Sequence, residues 1–78
     1  MVFQTLNKLK WTGKLKGCEV IILHRGAPEN KKTIQGEKIT EIKRSYFSYD
    51  SGREEVTIPL HRILEVRLKG KIIWKRKS

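Results

Sequence analysis

Apolar residues recur along this chain in two rhythms, and the change from one to the other divides it. Phe3, Leu6 and Leu9 stand at three-residue intervals in a polar stretch, the spacing of one face of a helix. Thr5 is a candidate N-cap and Gly13 stops the pattern, so residues 3 to 11 predict a short amphipathic helix closed by Trp11. From Cys18 to Leu23 the run Val20-Ile21-Ile22-Leu23 is short and rich in β-branched side chains, which predicts a buried strand with His24 at its exit.

Gly26 to Lys32 places Gly and Pro in turn positions and carries no apolar side chain larger than Ala, as an exposed loop does. Ile34, Ile39 and Ile42 then punctuate a polar stretch that fits two short strands or one turn of helix; strand is the expectation. Arg44 to Tyr49 is aromatic-rich, Asp50-Ser51-Gly52 is a turn signal, and Glu55-Val56-Thr57-Ile58 alternates, so a hairpin is expected here. Pro59 has no N–H for a ladder and predicts a strand end, an edge or a bulge just before His61. Arg62 to Leu68 alternates, with Leu64, Val66 and Leu68 on one face and Glu65 and Arg67 on the other. Lys69-Gly70 forms a two-residue turn into Lys71-Ile72-Ile73-Trp74-Lys75, and Arg76-Lys77-Ser78 reads as a frayed basic tail.

The fold class that follows is mainly β, with α+β as the alternative: five or six antiparallel strands in a curled sheet or barrel, and a short N-terminal helix over one opening. A bulge near Pro59 would help such a sheet curl and hide its edges.

The chain's 78 residues suffice for one hydrophobic core, so residues 1–78 are expected to form a single domain. Cys18 is alone, which excludes an internal disulfide and leaves a zinc knuckle or redox pair without partners; a buried small hydrophobe is its expected role. Two His and scattered carboxylates have no ligand spacing, and the isolated glycines make no phosphate-cradling loop, so neither a metal nor a cofactor is expected. No apolar stretch approaches the roughly 20 residues of a membrane span, and no secretory core precedes the first helix; a cytosolic protein is expected.

Charge changes the picture more than composition does. The formal net charge is +10, and its excess sits at the two ends. Lys8, Lys10, Lys14 and Lys16 lie in residues 1 to 18, and Arg67, Lys69, Lys71, Lys75, Arg76 and Lys77 in residues 66 to 78, with no acid in either segment. Residues 19 to 65 balance eight basic against eight acidic side chains. If the ends adjoin in the fold, they form one positive face suited to a phosphate backbone.

Within that chain the dipeptide His-Arg occurs twice, as His24-Arg25 and His61-Arg62, each at an expected strand end. A guanidinium offers a planar fork to paired phosphate oxygens, and a neutral imidazole adds one donor and one acceptor. Two such units close in space would make a phosphate pocket. Trp11 follows Lys10, and Trp74 is followed by Lys75 and Arg76. An aromatic plane beside cations suits a base stacked from single-stranded RNA, although at least one of the two Trp is expected in the core.

Leu6-Asn7-Lys8-Leu9-Lys10-Trp11, Ile22-Leu23-His24-Arg25-Gly26-Ala27-Pro28, the stretch from Ile34 through Gly36 to Ile39, and Ile58-Pro59-Leu60-His61-Arg62-Ile63 ending in Gly70 and Trp74 together resemble one family. It is the family of short archaeal proteins, also a module of larger eukaryotic ones, described as an RNA cyclic-group end recognition domain. The resemblance spans most of the chain outside Lys43 to Val56. It implies a β-rich module that recognises 2′,3′-cyclic phosphate or similarly modified RNA ends, with His24, Arg25, His61 and Arg62 at the matching positions.

The leading expectation is therefore a non-catalytic binder of RNA, at single-stranded 3′ ends, with those four residues on the phosphate and Lys10, Trp11, Lys71, Trp74 and Lys75 on backbone or base. One alternative is a cyclic phosphodiesterase or ribonuclease with His24 and His61 as acid and base, since imidazoles titrate near neutral pH. Another is a basic accessory protein of a ribonucleoprotein, held by charge alone.

Overall fold

The computed structural model describes residues 2–76. Among these lie α1 (Val2–Trp11), β1 (Cys18–Leu23), β2 (Lys31–Gln35), β3 (Ile39–Ile42), β4 (Tyr46–Asp50), β5 (Glu55–Pro59), β6 (Ile63–Leu68) and β7 (Lys71–Lys75). The strands form two antiparallel sheets, ordered β2-β1-β6-β7 and β3-β4-β5. The mainly β, antiparallel class with an N-terminal helix is what the sequence predicts. The strand count is seven in place of five or six, and the sheets do not close into a barrel.

Two corners produce this arrangement. The chain leaves the first sheet for the second through a 3₁₀ turn at Gly36–Lys38, and returns through another at Leu60–Arg62. Gly36 makes the first corner sterically possible. A Cβ there would lie 2.1 Å from the Leu15 carbonyl oxygen and 2.9 Å from Cys18 Cβ, so only hydrogen fits. Ile34 and Ile39, which look alike in sequence, thus fall in strands of different sheets.

One apolar cluster joins both sheets and the helix. Leu6, Cys18, Val20, Ile22, Phe47, Ile63 and Val66 are its fully buried members. Val2, Leu6 and Leu9 repeat at helical spacing and form the buried face of α1. The helix begins earlier than expected, at Val2, so Thr5 lies inside it and is not its cap. Its end is closed by Gly13, with φ of 69°, while Lys14 N–H donates to the Leu9 carbonyl at 2.9 Å and Gly13 N–H to that of Lys10 at 3.3 Å. Lys32 of β2 bridges the sheets, donating to Tyr49 Oη of β4 at 3.2 Å.

β6 departs from the expected alternation. Ile63 and Val66 are its buried residues, and Leu64 and Leu68 are half-buried. Opposite β1, Ile21 pairs with Glu65 and Ile22 with Ile63, so Leu64 is an extra residue in a bulge that turns the strand between its two core contacts. The β6–β7 hairpin forms as predicted, with Lys69 and Gly70 at φ of 52° and 84°, the left-handed pair of a type I′ turn.

Candidate functional site

Where β1 ends, three backbone hydrogen bonds tie the following loop. His24 N–H donates to the Asn30 carbonyl at 2.8 Å, Ala27 N–H to that of His24 at 3.3 Å, and Asn30 N–H to that of Ala27 at 2.8 Å. Gly26 sits in this loop at φ of 90°, a conformation that side-chain-bearing residues rarely adopt. The start of β6 pairs with the end of β1, Ile63 against Ile22, which carries Arg62 to the same end of the sheet. Leu23, His24, Arg25 and Arg62 there line an open pocket of about 460 Å³.

Among the described residues, no carboxylate lines this pocket. Among the described residues the ion pairs are Lys43 with Glu41 and Arg67 with Glu65, so neither Arg25 nor Arg62 has an acidic partner. Two unpaired guanidinium forks beside an imidazole form a donor-rich concavity matched to a small oxyanion.

His61 does not join them. It lines a second pocket, about 320 Å³, on the other side of the corner, together with Leu60, Ile63, Trp74, Arg44 and Arg76. The reason is local: residues 60–62 form a 3₁₀ turn, in which successive side chains point roughly 120° apart. Arg76 donates from Nη1 to the His61 carbonyl, and its backbone N–H reaches the Leu64 carbonyl at 2.9 Å. Arg76 is therefore fixed to the sheet and not frayed, whereas Lys77 and Ser78 lie outside the described residues.

The remaining candidates divide. Trp74 is half-buried and packs on the core, while Trp11, at the end of α1, is 81% exposed. Lys10, Lys71 and Lys75 are all exposed. The two basic ends of the chain do adjoin: Lys8 and Lys14 share a pocket with Leu68 and Ile73, and Lys14 shares another with Lys69. This basic region lies at the Cys18–Leu68 end of the β1–β6 ladder, and His24 and Arg62 lie at the other. Five strand steps separate the ends, about 17 Å.

A scan of protein-family models matches residues 2–76 to the MJ1316 RNA cyclic group end recognition domain. The chain belongs to this family. Among curated members of the RNA cyclic group end recognition family, the UPF0248 protein MJ1316 of Methanocaldococcus jannaschii is 46% identical over 81 residues, covering 99% of this chain and 95% of that protein. A UPF0248 protein of Methanococcus vannielii is 41% identical, with 97% and 92% covered, and one of Metallosphaera sedula is 34% identical, with 91% and 86% covered. No solved structure matches significantly.

Arg44 is a pocket-lining group that the sequence does not single out, while Arg76, a cation beside Trp74 in the sequence, lines the same pocket. Arg44 lies in the stretch without motifs, and Arg76 in a segment that looks like a tail.

Proposed function

We propose that the protein is a non-catalytic binder of RNA ends that carry a 2′,3′-cyclic phosphate or a similar modification. Arg25 and Arg62 hold the non-bridging oxygens, and His24 hydrogen-bonds a ring or ribose oxygen. The single observation that carries this reading is that two arginines from distant parts of the chain line one pocket with His24 and, among the described residues, without a carboxylate. A cyclic phosphate is a monoanion with two free oxygens, and charge-assisted donors from two directions suit it. The Lys-rich region with Trp11 lies far enough away to track the RNA strand leading to that end, through Lys10 and Lys71 on phosphates.

The hydrolytic alternative needs both imidazoles on one substrate phosphate. His24 and His61 line different pockets, so this arrangement favours binding over acid–base chemistry.

The test compares a fluorescent oligonucleotide ending in 2′,3′-cyclic phosphate with the same strand ending in 3′-hydroxyl. Preference for the cyclic end, abolished by Arg25→Ala or Arg62→Ala and retained by Lys38→Ala on a distant turn, supports the reading. Equal affinity for both ends, or equal loss in all three variants, replaces it with attachment by charge alone. Release of ring-opened phosphate on incubation replaces it with an enzyme.

A further inference from the structure

The pocket on the far side of the corner is chemically unlike the phosphate pocket. Its floor is apolar, from Leu60 and Ile63, and its wall is the half-exposed indole of Trp74. Around this lie Arg44, Arg76 and His61, so the rim offers hydrogen-bond donors and, among the described residues, no carboxylate. An anion gains nothing from desolvation against Leu, Ile and indole. A flat heteroaromatic ring does: it stacks on Trp74, buries its faces, and presents its carbonyl and ring-nitrogen acceptors to the guanidinium groups.

Position points the same way. His61 lines this pocket and Arg62 lines the phosphate pocket, and they are consecutive residues of one 3₁₀ turn, with Cα atoms about 3.8 Å apart. β6 starts between the two: the phosphate pocket is on its β1 side, and the indole pocket on its β7 side. A nucleotide straddling the corner would have its phosphate on one side and its base on the other.

We infer that the Trp74 pocket receives the nucleobase of the same terminal nucleotide whose phosphate is held by Arg25 and Arg62, so that the end is recognised as a nucleotide and not as a phosphate alone. This rests on the phosphate reading given above. His61 and Arg62 act as a divider with one ligand on each face.

Guanosine 2′,3′-cyclic phosphate and the baseless analogue 1-O-methylribose 2′,3′-cyclic phosphate separate the two ideas when titrated against the full chain by calorimetry. Stacking of one base predicts that the guanosine ligand binds about 5- to 150-fold more tightly. Trp74→Leu and Arg44→Gln each bring its affinity down towards that of the baseless ligand, whose own binding stays unchanged. Because Trp74 packs on the core, Arg44→Gln at an exposed position carries the test should the Trp variant lose its fold. Equal binding of the two ligands by the native protein, or equal loss of both in Arg44→Gln, overturns the base pocket and leaves the phosphate reading standing. If neither ligand binds, the phosphate reading itself has failed.

Discussion

Arg25 and Arg62 line one pocket although they come from a loop after β1 and from the turn that opens β6. Their approach follows from strand pairing, because Ile22 and Ile63 are register partners and the two arginines lie just beyond them. Two cations sharing one anion are coupled. Each substitution to Ala is expected to weaken binding of a cyclic-phosphate end about tenfold or more, from the loss of a charge-assisted hydrogen bond worth about 1.5–3 kcal/mol. The double variant should lose less than the sum of the singles. Anisotropy titrations of the four proteins complete the cycle, and strict additivity would show that the arginines act on separate groups.

Salt dependence distinguishes the two ends of the β1–β6 ladder. A cyclic mononucleotide carries one phosphate and no condensed counterion atmosphere, so its log affinity is expected to fall only shallowly with log salt. An oligonucleotide long enough to reach Lys8, Lys14 and Lys69 should show a steeper slope, by about 0.7 for each further phosphate engaged. Trp11→Ala should lower oligonucleotide affinity by about 1–3 kcal/mol and leave the mononucleotide unaffected. Identical slopes for short and long ligands would remove the basic ends from the binding surface.

Much of the fold is legible in the sequence where the cause is local. The apolar run from Cys18 to Leu23 coincides with β1, and the Lys69-Gly70 turn fixes the last hairpin, because both depend on residues adjacent in the chain. The start of α1 is misjudged because the Thr5 hydroxyl resembles a cap, while the buried face that decides the boundary begins with Val2. The division of strands between two sheets depends on the contact of Gly36 with Leu15 and Cys18, which no window of sequence contains. The site divides likewise. The donor chemistry of His-Arg is visible in the residues, but the divergence of His61 from Arg62 comes from 3₁₀ geometry, and Arg44 gains its place only when the second corner folds.

The two glycines at these places should respond differently to Ala. Gly36→Ala puts a methyl group against backbone atoms that cannot withdraw, so a large loss of stability is expected, visible as a fallen Tm or an insoluble protein. Gly26→Ala meets no atom within 4 Å and strains only its own backbone at φ of 90°, at a cost of about 1–2 kcal/mol. It should leave the protein folded and weaken the anion pocket by displacing Arg25. Thermal denaturation followed by a binding assay checks both, and the idea fails if Gly36→Ala is the milder change.

Cys18 supplies a test of the core that is independent of any ligand. Burial pushes its thiol up from an ordinary 9.0 to about 11, and the neighbouring carboxylate of Glu19 adds to the shift. Below pH 9 the folded and unfolded chains both carry the neutral thiol, and its contribution to stability is intact. Between about 9 and 11 the unfolded thiol ionises while the folded one does not, so the unfolded state binds fewer protons and stability falls as pH rises. Two pH units correspond to at most about 2.7 kcal/mol. Urea denaturation of the native protein and of Cys18→Ala across this range should therefore show the difference in stability between them shrinking towards high pH. At neutral pH the native thiol should resist iodoacetamide until denaturant is added. A parallel pH dependence in both proteins, or rapid alkylation of the folded chain, would mean that the Cys18 end of β1 is open to water.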